Sequence, residues 1–279
     1  MEAWQYRLLI FIFIMTLFKY REDRIPVLII TLLFALDIVA YLVVDNIWLL
    51  IAYWLIMIAP KGIICAWNHH HQHLPTFKYT PLNYVLEQMY ALQTGATSKL
   101  WVLHHVLGHH HHYLDQSKDE SRWKDKKGRI MGRFRYSMDV MLTAYYRGYQ
   151  VGKRHPRPLK IFLIATTVTA LVVTALTWYQ PVQTLFVFII PMISSLFFTA
   201  WVTYAHHAGL DVDNDFEASY NIMTPIYNRL TGNLGYHTAH HHKQGLHWSL
   251  LPELHEKIKD KIPANLYKTD HLGSGFLKV

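Results

Sequence analysis

Four stretches of the chain, residues 25–44, 47–65, 159–179 and 182–205, are apolar over lengths that cross a bilayer, whose hydrocarbon core of about 30 Å takes about 20 helical residues. Only Asp45 and Asn46 separate the first two, and only Gln180 and Pro181 the last two, so the pattern predicts two tight helical hairpins. A shorter run at 8–18 cannot span. With Lys19, Arg21 and Arg24 behind it and no small-residue cleavage site, it reads as an interfacial or re-entrant helix and not as a cleaved leader. Segments 81–101 and 134–149 mix apolar and polar positions too evenly for spans and predict helices lying on the membrane face. Between them, 115–133 is highly charged and contains glycine, the pattern of a solvated loop. The expected fold class is an all-α membrane protein: two transmembrane hairpins with four spans, interfacial helices and a helical cap (66–158 and 206–272), forming one domain over 1–279.

Charge orients this arrangement. Neither hairpin turn carries a Lys or Arg, whereas the N-terminal segment, residues 66–158 and the tail after His206 hold essentially all 27 basic residues. The positive-inside rule then puts those three segments and both termini in the cytoplasm. The net charge of +8 is spread over loops beside spans and forms no nucleic-acid module, so it suits anionic lipid or an acidic protein partner. Cys65 is the only cysteine, which excludes a disulfide framework, a thiolate zinc site and a cysteine-ligated iron–sulfur cluster. Asp37 lies inside the first span, either as a hydrogen-bonded helix contact or beside a buried substrate channel. Trp48, Trp54, Trp178, Tyr179 and Trp201 sit near span ends as an interfacial belt.

Candidate chemistry lies in 20 histidines gathered mostly into four groups beside the spans: His69, His70, His71 and His73; His104 to His112; His206 and His207; and His237, His240, His241 and His242. Neutral imidazole ligates iron, copper, zinc or nickel, and so many rings argue for more than one ion. On an α-helix, His69 and His73 share a face, His105 and His109 repeat that spacing with His110 turned aside, and His237, His240 and His241 stand at i, i+3 and i+4. One of His206 or His207 completes nine imidazoles, enough for two ions with open positions. His70, His71, His104, His111, His112 and His242 point elsewhere around their helices, and His155 and His271 read as loop residues. Asp115, Asp119, Glu120, Asp211, Asp213, Asp215, Glu217 and Asn233 lie near enough in sequence to accept the second ring N–H of a ligand. Trp67, Asn68, Trp101 and Trp248 adjoin the histidine groups and either line a pocket there or simply pack.

The motifs HxxxH at His69, HxxxHH at His105 and HxxHH at His237, in this order around two hairpins, resemble the histidine boxes of the integral-membrane fatty acid desaturase and hydroxylase superfamily, which includes alkane hydroxylases. The resemblance covers roughly residues 47–260. His207, in the segment ending Ala208-Gly209-Leu210, matches the extra histidine of that family better than His206 does. The resemblance implies two non-haem iron ions held by His69, His73, His105, His109, His110, His207, His237, His240 and His241. It also implies O2 as co-substrate, a fatty acyl or alkyl substrate taken from membrane lipid, and a separate donor: a ferredoxin, rubredoxin or b-type cytochrome with its reductase. No Glu-x-x-His pair stands at the boxes, which sets the chain apart from soluble carboxylate di-iron bundles. Fatty acid desaturation is the reading that the last box and its Leu251-Pro252 tail favour. Val106 to His110 and His207 to Leu210 are similar to alkane hydroxylases, so hydroxylation, or oxidative decarboxylation to a terminal alkene, stays as the alternative. A metal transporter is the alternative of another class, but its ligands belong at mid-membrane, and these flank the spans.

Overall fold

The computed structural model describes residues 16–268; the expected 8–18 helix lies almost wholly outside the described residues, as does His271. The protein is an all-α membrane protein, its long helices being α1 (Arg24–Val43), α2 (Ile47–His73), α3 (Thr80–Thr94), α4 (Arg133–Gly152), α5 (Pro156–Tyr179) and α6 (Pro181–His207). Among the described residues, four of them, α1, α2, α5 and α6, are long and apolar enough to cross a membrane. Each hairpin turn is fixed by its own chemistry. Asn46 caps α2, its side-chain oxygen accepting from the N–H groups of Trp48 and Leu49 at 2.9 and 3.2 Å. Pro181 opens α6 where an N–H would have no helical partner anyway. The Gln183 amide donates to Asp45 at 3.2 Å, so the two turns are neighbours, and the histidine-bearing ends of α2 and α6 meet at the other end of the bundle.

Hydropathy places the end of the second span at 65, yet α2 continues unbroken to His73. Its 27 residues make about 40 Å of helix, some 10 Å more than a hydrocarbon core. The added turns bring Asn68 through His73 clear of the apolar layer. Helix α3 departs further from expectation. Instead of lying on the membrane face, it enters the bundle: Leu92 packs with Tyr41, Leu50, Val187 and Phe188, and residues 90–98 are all buried. Two of its polar side chains find partners inside, Gln88 with the Thr169 hydroxyl at 3.3 Å and Thr94 with the Tyr90 carbonyl at 2.7 Å. That is why its mixed pattern did not read as an inserted helix. Gly95 ends α3 at φ +74°, against the Met192 backbone, where a Cβ would fall 2.6 Å from the carbonyl oxygen. Helix α4 leaves Phe134, Leu142 and Tyr146 exposed and buries Tyr136 and Val140 with Ala200 of α6. The segment 115–133 is a chain of turns with one bridge, Lys124 to Ile130, as its composition suggested. A small cap cluster of Ala239, Leu251, Ile258, Ile262 and Leu266 closes the C-terminal part, tied by a two-residue parallel pairing of Asn221–Ile222 with Tyr267–Lys268.

A charge that the sequence reading passed over, Lys61, lies within α2 at 1 % exposure. Its ammonium pairs with Asp37 at 2.8 Å and donates to the Val187 carbonyl at 2.8 Å, while the Tyr53 hydroxyl donates to Asp37 at 2.7 Å. Asp37 is thus a hydrogen-bonded contact between helices. The need for Lys61 has a local origin. Pro191 has no N–H to give the carbonyl four residues back, and α6 is π-helical over Leu185–Ile189. Val187 is that carbonyl, and Lys61 replaces the missing donor. Removing one partner of a buried pair strands the other, at about 3–5 kcal/mol. Lys61→Met or Asp37→Leu alone should therefore lower the thermal midpoint of the purified protein sharply, and the double variant should recover much of the loss.

Candidate metal centre

Four separate elements deliver the imidazoles. The last turns of α2 carry His69 and His73, four residues apart on one face, with ring centroids 4.7 Å apart. The end of α6 carries His206 and His207, and a short helix, α7 (His237–His242), carries the last group. The fourth element, Val102–His110, is a π-helix. Its i→i+5 spacing overturns the pairing expected from α-helical geometry. His105 and His110, five apart, bring their Nε2 atoms within 2.9 Å, whereas His109 turns to His207, Nε2 to Nε2, at 3.3 Å.

Two nitrogen clusters result. His69, His73, His105, His110 and His240 each place a ring nitrogen within 4.8 Å of one another, and His109, His207 and His241 do the same beside them. His237 stands outside both sets by that measure, but its Nε2 lies 2.9 Å from that of His207. All nine positions singled out in the sequence are thus brought together. His206 is not: its Nδ1 faces the Tyr220 carbonyl at 3.0 Å and its Nε2 the Tyr227 hydroxyl at 3.1 Å. His70 and His71 are similarly engaged, with the Thr231 carbonyl and the Thr76 hydroxyl, each at 2.9 Å. His111 is exposed, and His242 lies 3.8 Å from Asp215. His104 is 1 % exposed and bonds to nothing.

The donor set fits metal ions. A neutral imidazole has one N–H and one lone pair, yet His105 Nε2 meets His69 Nε2 at 2.8 Å and His110 Nε2 at 2.9 Å. Ligand nitrogens bound at about 2.1 Å and at right angles would stand about 3 Å apart. Several ring nitrogens of the clusters, among them His240 Nε2 and both nitrogens of His241, are buried without a partner. Protonation does not resolve the crowding. Burial, then the neighbouring histidines, hold the pKa values of His105, His110, His237, His240 and His241 well below the usual range, so the rings stay in their ligating form.

Hydrogen bonds to Nδ1 aim three of these rings. Asp119 accepts from His109 at 2.8 Å, the Ala218 carbonyl from His207 at 3.0 Å and the Leu234 carbonyl from His237 at 3.3 Å. Of the acidic candidates named from sequence, Asp119 alone touches a clustered ring. Gly108 makes this possible: a Cβ there would meet the Glu120 Cγ at 2.7 Å, and the Glu120 N–H donates to the Gly108 carbonyl at 3.1 Å. The loop carrying Asp119 can close on the π-helix only because that side chain is absent. Tyr113, which no sequence motif marked, packs on His241 at 4.4 Å between centroids and donates to Asp215 at 2.5 Å.

A cavity of about 410 Å³ reaches the clusters from the bilayer side. Ile58, Ala59, Gly62 and Ile63 of α2 and Phe198, Thr199, Ala200 and Val202 of α6 line its membrane part, and His69, His105 and His237 lie on its wall. Trp101 lines it too, whereas Trp67 and Trp248 do not; they pack edge to face at 5.1 Å elsewhere.

The sequence model of the fatty acid desaturase family matches residues 45–273. No curated protein and no solved structure matches the chain significantly.

Two outcomes follow from this geometry. Asp119→Asn should weaken metal binding about 10- to 100-fold, read as ions retained per chain after competition with a chelator. Metal-free protein should lose stability as the pH falls below about 6.5, because the unfolded chain then takes up protons that the buried rings refuse. Thermal midpoints of chelator-treated protein between pH 8 and 5 measure this; a flat profile contradicts it.

Proposed function

Because the chain belongs to the fatty acid desaturase family, we propose that it is a multi-pass membrane oxidoreductase that uses O2 to oxidise an acyl chain at a pair of histidine-bound irons, the reaction being desaturation. The observation that carries this reading is the adjacency of two imidazole clusters and an apolar cavity that runs back into the spans. His69, His73, His105, His110 and His240 hold one iron; His109, His207, His237 and His241 hold the other. Iron bound there supplies the redox change and the oxygen activation that zinc in the same nitrogen shell would not.

The protein's own residues do the rest. The cavity takes the chain directly from lipid, sparing it the roughly 0.8 kcal/mol per methylene of crossing water. Its apolar walls fix the chain against the face that carries His69 and His105. Asp119 and the backbone carbonyls keep the Nδ1 protons of their partners, so that each Nε2 presents a lone pair. Electrons come from a separate ferredoxin, rubredoxin or b-type cytochrome with its reductase, docking on the basic cytoplasmic face where the positive-inside rule puts the histidines and both termini.

The chain expressed with an electron-donor system and fed labelled fatty acids and alkanes should yield an unsaturated fatty acid by mass spectrometry. An alcohol or a terminal alkene instead would reassign the reaction, and two zinc ions with no oxidised product would reject it. Cavity shape gives a second check. Gly62 lines the cavity, and a Cβ there meets nothing within 4 Å. Gly62→Leu should fill that space, shift the preference towards shorter chains by about tenfold in kcat/KM, and leave the iron content unchanged.

A further inference from the structure

Ion pairs are unevenly spread over this protein. Lys118, Lys124, Arg129 and Arg135, around the turns before α4, and Lys257 and Lys259, near the C-terminal end, each meet a carboxylate at 2.5–3.5 Å. The corner between α4 and α5 is different. Lys153, Arg154, Arg157 and Lys160 stand exposed within one short stretch, and among the described residues none of them forms an ion pair. The chain has no Asp or Glu between Asp139 and Asp211, so no acid close in sequence can neutralise them. Arg154 acts on the Glu120 carboxylate, but without pairing with it. Like charges gathered in this way repel one another, and a counter-charge from outside the chain relieves that repulsion.

The adjoining surface identifies what carries that counter-charge. Pro156 opens α5, a helix apolar enough to span, so the four cations sit where a span begins. Gly152 holds this corner tight, because a Cβ there would fall 2.7 Å from Leu159 Cδ1. Along α5, Arg157 and Lys160 share one helical face with Ile164, Val168 and Leu171, which follow at intervals of four, four and three. Those three side chains are 54, 44 and 64 % exposed, so the face below the cations is one that lipid tails cover. Tyr149, half-exposed beneath the Lys153 ammonium at 5.1 Å from its ring centre, is the kind of aromatic that sits at headgroup level. An acidic protein could meet the four charges but would leave the apolar stripe below them unused. We propose that this corner binds an anionic phospholipid, its headgroup phosphate held by Lys153, Arg154, Arg157 and Lys160 and its tails lying along Ile164, Val168 and Leu171. Clusters of four or more basic residues beside a span attract anionic headgroups, each charge contributing separately. The site is distinct from the metal centre and from the cavity that reaches it, and it does not rest on the proposed oxidation.

The test is binding of dioleoylphosphatidylglycerol and dioleoylphosphatidylcholine to the purified full chain in neutral detergent micelles, read by native mass spectrometry. Wild type should bind the anionic lipid about tenfold or more tightly than the zwitterionic one, and the preference should shrink as salt is raised. Arg157→Gln and Lys160→Gln should each weaken the anionic lipid about fivefold and leave the zwitterionic one within about twofold. Arg157→Lys, which keeps the charge, should retain most of the preference. The double variant Lys257→Gln/Lys259→Gln removes two charges elsewhere and should leave the preference within about twofold of wild type. Glycerol 3-phosphate, a headgroup without tails, should bind far more weakly than the lipid, because it leaves the apolar stripe uncovered. Equal binding of the two lipids by wild type overturns the site and leaves the corner to an acidic protein. Equal weakening by the Lys257/Lys259 pair and by the α5 variants also overturns it, since net charge alone would then explain the preference, and so does glycerol 3-phosphate binding as tightly as the lipid.

Discussion

A set of buried imidazoles that cannot satisfy one another governs this structure. Nitrogens from α2, the π-helix, α6 and α7 converge within hydrogen-bond distance, yet each neutral ring has a single proton to give. Charging the rings offers no relief, because burial and mutual repulsion both oppose it. Lone pairs crowded in a dry site are answered by a Lewis acid, and the surrounding protein serves to hold them in place against their own repulsion. Hydrogen bonds from the outer nitrogens to the Asp119 carboxylate and the Ala218 and Leu234 carbonyls turn that crowding into directed ligands.

Departures from α-helical spacing make the convergence possible. The π-helix Val102–His110 brings His105 and His110, five apart, into one cluster and leaves His109 to the other. A second π turn, at Leu185–Ile189, exposes the Val187 carbonyl inside the bundle, and Lys61 answers it from α2. The same ammonium pairs with Asp37 of α1. The two helices that end in His73 and His207 are therefore fastened together by a polar contact far from the site. A polar link in the apolar layer has few alternative partners, so it fixes the register of α2 against α6 more firmly than side-chain packing alone.

Much of this could be read from the chain itself. The four spans and the two histidine-free turns follow from hydropathy and from Asp45, Asn46, Gln180 and Pro181, because apolar length is a local property. The nine clustered positions followed from motif resemblance. What escaped was non-local. No local signal distinguishes a π-helix from an α-helix at Val102–His110, so the partner of His105 was misassigned to His109. Helix α3 looked like a surface helix because Gln88 and Thr94 are polar; Thr94 is answered by the helix's own Tyr90 carbonyl, and the partner of Gln88, Thr169, lies outside its sequence. His206 and His207 are equivalent by composition; Tyr220 and Tyr227, which engage the first, lie 14 and 21 residues away. Asp119 was one acid among seven until its loop closed on Gly108 of the π-helix.

Helix α2 shows why site and membrane are built together. Ala59, Gly62, Ile63, Ala66 and His69 all line the cavity; Gly62 and Ile63 are adjacent, and the rest stand three or four residues from one or both of them or from each other. A single helical face therefore carries both the wall of the cavity and the first clustered imidazole. Three of the four positions before His69 are Ala or Gly, so this stripe leaves room where larger side chains would close it. Had α2 stopped at 65, where its hydropathy fades, the stripe would end in lipid and His69 would belong to a loop. Because the helix runs on to His73, a continuous helical stretch about 16 Å long from Ile58 to His69 joins the cavity wall to the metal centre. The distance from the apolar layer to the reactive end is thereby set by helix rise and not by loop conformation.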